Sequence, residues 1–449
     1  MSPWRTTASL GRAALFAAVG LAFAVLFGDP VMMVISAPVA LCAALGLWHR
    51  PNENPRVHTR LAHPSLHEGQ GTTSRLVLLD VGDVEHVTRV TGPVSYVALR
   101  PTDGVVGSLL SPAGGPGGPG GPGPGGMADI EVSPRRWGRR LLGEEKVGLS
   151  TPWAGYRWGP VLLSGQALLV LPVTVPFDSR AEMPAPLGLV GAHRSRRVGS
   201  GTEFSGIRPF QAGDRLRRIN WRVSLRAGEL HVVNTRSEED SAVLIVVDAL
   251  ADYGRSQGVD GDASSLDLTV RAAAALAEHH TRHGDRVGLR VVGSSGQVVG
   301  YGAGQRHHRR VLGNLASIRP GAPGHLTHPS EERLALPVPP GTVVIVLSPM
   351  LSPVLTTAAA TLTRRGLPVL VIDTLPPEST VGAPVGTGEG TRPELADLAW
   401  RMRRIERDLL LSRLAASGCP VVAWRGPGTL DEVLRRLARR ARLPQVSAR

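Results

Sequence analysis

Lysine is all but missing from this 449-residue chain: Lys146 is the only one, so 49 of the 50 basic residues are arginine. A Gly-x-x-x-x-Gly-Lys-Ser/Thr loop needs its lysine to hold phosphates, so that chemistry is excluded. Cysteine is nearly as scarce. Cys42 lies in an apolar run and Cys419 far away, which leaves no disulfide framework and fits a reducing compartment. No Gly-x-Ser-x-Gly elbow occurs, and no His-Glu-x-x-His. His279 and His283 are four apart in a helical stretch, a spacing that can hold a metal, but no third ligand is evident. They are read as the solvated end of an amphipathic helix. The run from His307 to Arg310 is read as a basic helix start. No metal, no cofactor and no small-molecule substrate is expected.

What is present sets the class. With 42% hydrophobic residues the chain has enough apolar surface for two or three domains. Its formal charge of +13 and sequence pI near 11.1 suit anionic lipid, nucleic acid or an acidic protein surface, and a GC-rich codon usage delivers the same arginine excess. Leu10 to Phe27 and Val31 to Trp48 are apolar runs of 18 residues each. As helices they span about 27 Å, close to the hydrocarbon core of a bilayer. Gly28 to Pro30 separate them as a turn, Arg5 and Arg12 precede them, and His49 and Arg50 follow. The positive-inside bias then places both ends, and everything after residue 50, in the cytoplasm. The expectation is a multi-pass protein of the cell membrane with cytoplasmic soluble domains. A cleaved signal peptide is the alternative, and the second apolar run speaks against it.

Beyond the hairpin the texture is of strands. Short runs rich in Val and Leu, bounded by Gly, Pro and Asp, suggest an antiparallel sandwich from about Arg56 to Val175. The Gly/Pro-rich loop at 113–126 interrupts it and is assigned no chemistry. From Ser241 onward continuous apolar strands alternate with helices, which predicts a doubly wound α/β domain with a parallel sheet. The expected organisation is a transmembrane hairpin at 1–50, a β-rich region at 51–190, an Arg-rich motif at 191–240 and the α/β domain at 241–449.

Sheets of that kind bind ligands where strand order reverses, a point framed here by Asp248 and by Leu347 to Pro349. The layout is similar to the von Willebrand factor A domain. In that family the first strand's Asp opens an Asp-x-Ser-x-Ser metal loop. This chain reads Asp248, Ala249, Leu250, Ala251, Asp252, and Ser348 stands where another acid is usual. Leu250 offers no oxygen, so Asp248, Asp252 and Ser348 are read as degenerate metal-site positions, with Asp248 capping a strand-end turn.

Between the β region and the first parallel strand lies the most unusual stretch. From His193 to Arg226 nine arginines face two acids, Glu203 and Asp214. Gly206, Arg208, Phe210, Gly213, Asp214, Arg217, Ile219, Trp221, Ser224 and Arg226 resemble the landmarks of the family called domain of unknown function fifty-eight. Asn220 departs from it where an acid commonly precedes the Trp, and Leu225 where Ala usually follows the Ser. Physically, Gly213 suits a turn, Asp214 can accept from Arg208 or Arg217, and Trp221 offers a face for arginine stacking. The motif reads as a structural clamp anchored by Trp221 and fastening the β region to the sheet. Arginines in excess of its acids, including Arg194, Arg196 and Arg197, form a partner surface.

A long helix from Arg392 to Ser417 carries Leu395, Leu398, Met402, Ile405, Leu409 and Leu410 at helical spacing. These are expected to form a core face, with Arg401, Arg403, Arg404, Arg407 and Arg413 solvated or laid on anionic lipid.

The family resemblance implies partnership with a MoxR-type AAA+ ATPase. The expected function is a membrane-anchored, non-enzymatic scaffold or adaptor in assembly or maturation of envelope components, touching membrane lipid and not nucleic acid. Two alternatives stay open: a hydrolytic enzyme using Asp248 and Asp252, and a binder of anionic polymers through the Arg-rich segment.

Overall fold

The computed structural model describes residues 4–51, 53–79, 84–109, 128–173, 198–211, 214, 216–236, 242–293, 296–321, 338–339, 342–376 and 393–424. The Gly/Pro-rich loop, Arg194, Arg196, Arg197, Gly213 and the last helical stretch of the sequence lie outside them. The chain is mixed α/β and divides into two units, Met1–Leu171 with Gln257–Asp260, and Pro172–Ser256 with Gly261–Arg449.

The first unit opens with strand β1 (Arg5–Thr6) and two helices, α1 (Ala8–Phe27) and α2 (Pro30–Trp48), both long and apolar enough to cross a membrane. The three separating residues each have a task. Gly28 ends α1 with φ 65°, Asp29 accepts the Val31 N–H at 2.9 Å, and Pro30 opens α2. The helices approach closely at Gly20, where an added Cβ would stand 2.8 Å from Ser36 Cβ. At the other end of α1, Thr7 accepts the Leu10 N–H through its hydroxyl and donates its own N–H to Gly155 O at 3.1 Å.

The rest of this unit is β-structure: β2 (Arg56–Leu61), β3 (Ser65–His67), β4 (Thr72–Leu79), β5 (His86–Thr91), β6 (Val97–Arg100), β7 (Val105–Leu109), β8 (Ile130–Pro134), β9 (Gly138–Leu141), β10 (Glu145–Ser150), β11 (Tyr156–Leu163) and β12 (Ala167–Leu171). They form sheets of order β1-β11-β10-β5-β7, β2-β4-β8-β6 and β3-β12-β9, all antiparallel except the β3/β12 pair. Alternate residues of each strand turn inward, as period two demands. Val87, Val147, Leu149 and Trp158 fill one cluster and Ile130, Val132, Leu168 and Val170 another. Between Val87 and Thr91 the inward position is taken by Arg89, fully buried and paired with Glu145 at 2.8 Å. Its NH1 also donates to Ser74 O at 2.7 Å and Ala128 O at 2.9 Å, so the guanidinium is saturated by neighbouring strands.

The second unit begins with the hairpin β13 (Val198–Pro209) and β14 (His231–Arg236), with the short helix α3 (Trp221–Ala227) in its connection. Then follow β15 (Ala242–Ala249), α4 (Ser265–Arg282), β16 (Arg286–Gly293), β17 (Val298–Gly302), α5 (Gly304–Leu315), β18 (Val343–Ser348), α6 (Pro353–Arg364), β19 (Val369–Asp373), α7 (Pro393–Ala416) and β20 (Val421–Ala423). The sheet order is β17-β16-β15-β18-β19-β20, parallel except for the edge strand β17. Successive strands move outward from β15 on one side and from β18 on the other, so β15 and β18 meet at the reversal. β15 and β18 are buried along almost their whole length, which is why they read as continuous apolar runs.

Two sequence expectations are corrected here. Of the two histidines read as a solvated helix end, His283 is exposed but His279 is buried, its ring packed 4.3 Å from that of His283, and beside it His280 is buried with Nδ1 2.7 Å from Asp285 Oδ2. Desolvation, reinforced by the neighbouring histidines, pushes His279 down to about 4. On α7, Arg401, Arg403, Arg404 and Arg413 are exposed as expected, but the apolar stripe does not face the core. Leu395, Leu398, Met402, Ile405 and Leu409 are exposed, whereas Arg407 is buried.

Candidate functional site

Two places gather the residues singled out in the sequence: the carboxyl ends of the parallel strands and the β13/β14 hairpin. At the strand ends three successive side chains make the same local bond. Asp248 Oδ1 accepts the Leu250 N–H at 3.0 Å, Ser348 Oγ accepts the Met350 N–H at 2.8 Å, and Asp373 Oδ1 accepts the Leu375 N–H at 3.0 Å. Each oxygen turns the chain out of its strand, as short polar side chains do in such turns. Ser348 Oγ donates across the reversal to Asp248 Oδ2 at 2.6 Å. Burial pushes the Asp248 carboxyl up to about 6, against the pull of the Ser348 hydroxyl and the Leu250 N–H.

Asp252 belongs to a different task. Its Oδ1 accepts the Leu266 N–H at 3.1 Å and the Ser265 hydroxyl at 3.4 Å, at the start of α4. The crevice also receives Arg407 from α7, which pairs with Asp373 and donates Nε–H to Pro349 O at 2.7 Å. Arg403, one turn earlier, donates to Leu351 O at 3.2 Å. The donor set for a hard divalent ion is not assembled at these residues: Leu250 brings no oxygen, Asp248 is held by Ser348, Asp252 caps α4, and a guanidinium occupies the neighbouring strand end.

The hairpin carries the landmark residues. Arg208 and Asp214 form a two-pronged pair, NH1 to Oδ2 and NH2 to Oδ1, both at 2.7 Å, and the Gln211 N–H donates to the same carboxylate at 2.9 Å. The Arg208 bond, then the Gln211 N–H, hold the Asp214 carboxyl below its usual range. This half of the clamp matches the sequence reading, but it closes one turn at a partly exposed position, within the hairpin. Arg217 is exposed and makes no ion pair among the described residues.

α3 shows why its residues stand where they do. Asn220 is its N-cap, accepting the Val223 N–H at 3.3 Å, a role in which Asn serves as well as an acid. Ser224 is buried; its hydroxyl donates to Asn220 O at 2.8 Å and accepts the His231 N–H at 2.8 Å, pinning α3 to β14. Ile219 and Val232 pair beneath it, and Gly228 closes the helix with φ 72°. The inward side of α3 is thereby used up. Its outward side carries Trp221, 62% exposed, and Leu225, 83% exposed and one turn on; Leu216, in the preceding turn, is also exposed. Arg222 and Arg226, next to Trp221 and Leu225 on α3, and Arg217, just before the helix in sequence, are all exposed. Trp221 is therefore no buried anchor. The motif's most conspicuous residue faces solvent.

Sequence reasoning missed the Arg407–Asp373 pair and the Arg89–Glu145 pair. The first had a signal: Trp400, Arg403, Arg407, Leu411 and Leu414 form a second stripe at helical spacing on α7. The second had only period two, which makes Arg89 an inward residue of β5.

Residues 206–381 match the family model described as "Protein of unknown function DUF58", which supports the resemblance drawn from the landmark residues. Three curated relatives are each 30% identical over 138 residues: uncharacterized protein Rv1480 and uncharacterized protein MT1527, from two strains of Mycobacterium tuberculosis, and uncharacterized protein Mb1516 of Mycobacterium bovis. The match covers 30% of this chain and 42% of each relative, less than half their length.

Proposed function

We propose that this chain is a membrane-anchored, non-enzymatic adaptor whose DUF58 motif is itself a docking site for an acidic protein partner. The observation that carries it is the outward face of α3. A tryptophan and a leucine stand exposed on a helix whose inner face is engaged, with Arg222 and Arg226 exposed beside them on the same helix and Arg217 exposed just before it, none with an ion-pair partner among the described residues. Trp and Arg are the side chains that dominate binding energy at protein interfaces, and an arginine rim selects a partner of opposite charge. The family resemblance points to a MoxR-type AAA+ ATPase as that partner and to envelope assembly or maturation as the setting. The reading supposes that α1 and α2 span the cell membrane with the remainder cytoplasmic. The reversal of strand order at Asp248, with helices between the parallel strands, supports a doubly wound, von Willebrand factor A-like second unit.

The test is binding of the full-length, detergent-solubilised chain to a MoxR-type ATPase from the same cells. Trp221→Ala is expected to weaken binding by at least about 2 kcal/mol, roughly thirtyfold, with its thermal unfolding unchanged because the indole is exposed. Arg222→Glu with Arg226→Glu should weaken it further at low salt than at high salt. Full binding by both variants would overturn the docking site.

A further inference from the structure

The long helix α7 has two stripes. The one that faces the sheet holds Arg403, Arg407 and Leu414, bonded to Leu351 O, Pro349 O and Asp373 or packed in the core cluster. The opposite one holds Leu395, Leu398, Met402, Ile405 and Leu409, each more than half exposed and Ile405 71% exposed. Isolated surface leucines need no account, but these five form one continuous apolar strip. Their intervals are 3, 4, 3 and 4 residues, the seam of a two-stranded coiled coil.

The charges along the seam say what covers it. With Leu395, Met402 and Leu409 at the a positions and Leu398 and Ile405 at d, Arg401 and Asp408 fall at g, and Ala399, Glu406 and Arg413 at e. In a parallel pair each g residue meets the e residue five positions on in the partner. Arg401 then meets Glu406 of the second helix, and Asp408 meets Arg413, opposite signs in both cases and repeated by the two-fold axis. An antiparallel pair sets g against g and e against e. Its best register joins Arg401 to Asp408 but leaves Glu406 opposite Ala399. Within one chain Arg401 pairs with Asp397 at 2.8 Å, an exposed contact, and the exposed Asp408 touches the buried Arg407 at 3.2 Å, so both seam charges remain open to a partner helix. A coil of little more than two heptads is marginal for free helices. α7 is already held by Arg403, Arg407 and Leu414, so the ordering cost of a free peptide does not arise.

We infer that α7 is the dimer seam of this protein: a second copy of the chain covers the Leu395–Leu409 stripe as a parallel two-stranded coil. This surface is separate from the docking face of α3, and neither reading depends on the other.

The test uses the full chain in its native membranes, in a Cys42→Ser background with Cys419 left buried. Under mild oxidation Met402→Cys and Ile405→Cys should each give a cross-linked dimer, and Arg404→Cys, off the seam, should not. In detergent the wild type should have the mass of a dimer. Arg401→Glu and Glu406→Arg should each weaken dimerisation by about tenfold, and the two together should restore it, since the reversed charges meet again in the parallel register. All these positions are exposed, so unfolding temperatures should stay at the wild-type value. A monomeric mass at tens of micromolar, equal cross-linking from Arg404→Cys, or no recovery in the exchanged pair would each overturn the seam. So would a monomer whose Ile405→Cys is shielded from a water-soluble thiol reagent only when lipid vesicles are added, which assigns the stripe to lipid, or one shielded without them, which assigns it to another segment of the same chain.

Discussion

Asp248 shows how much a single position can carry. Its carboxyl is buried at the end of β15 and raised from 3.8 to about 6, with desolvation the leading cause. The sign follows from the direction. A carboxyl that is easier to protonate when folded stabilises the protein below its unfolded value near 4, and that contribution is lost as pH rises to about 6. The loss is on the order of 3 kcal/mol for a shift of this size. Denaturant unfolding between pH 4 and 6.5 should therefore show wild type losing stability relative to Asp248→Asn, with the two curves parallel above that window. His279, held near 4, has the opposite slope and is common to both proteins, so the difference between them isolates Asp248. A constant difference across the window would show that the carboxyl is not desolvated. The sequence placed Asp248 correctly as a strand-end cap. It could not reveal the Ser348 bond, which joins residues 100 apart.

Elements were legible where their own residues dictate them. Gly28, Asp29 and Pro30 are enough to end one helix and start the next, and the apolar runs on either side needed no partner to be read. The apolar stripe of α7 was expected inward and Arg407 outward because periodicity reports that a helix has an apolar stripe, not which way the stripe turns. The buried side is decided by Asp373 and Pro349, some thirty to sixty residues earlier in the chain, where a guanidinium finds a carboxylate and a carbonyl. Arg89 in β5 follows the same logic among strands: Glu145, Ser74 and Ala128 converge on it from three segments. Arg89→Met leaves Glu145 buried and unpaired and should cost about 3 to 5 kcal/mol, whereas Arg89→Met with Glu145→Leu should recover most of that loss. Equal destabilisation of the single and double variants, by thermal or denaturant unfolding, would assign the cost to packing instead.

At the scale of the whole molecule, strand and helix alternation was readable from Ser241 onward, since buried parallel strands advertise themselves as unbroken Val, Ile and Leu. The β-rich unit was readable only as strands; its sheet orders depend on pairings across loops that carry no signal of their own. The candidate docking face was hidden for a related reason. The sequence makes Trp221 the anchor of the clamp, and only Ser224, Asn220 and Ile219 occupying the inner side of α3 turn it outward. The topology is open to a direct check: protease added to intact cells should leave residues 51–449 uncut, and cleavage there would place the body of the chain on the other side of the membrane. The tie between β1 and β11 also bears on the proposed membrane anchoring. Arg5 and Thr6 extend the β11 sheet, and Thr7 both caps α1 and bonds to Gly155. No slack linker separates α1 from the sheet. A helix of 20 residues adapts to a thicker or thinner hydrocarbon layer by changing its tilt. If α1 spans a bilayer, as proposed, a change of its tilt is handed directly to the β-rich unit, and lipid thickness becomes a mechanical input to that unit.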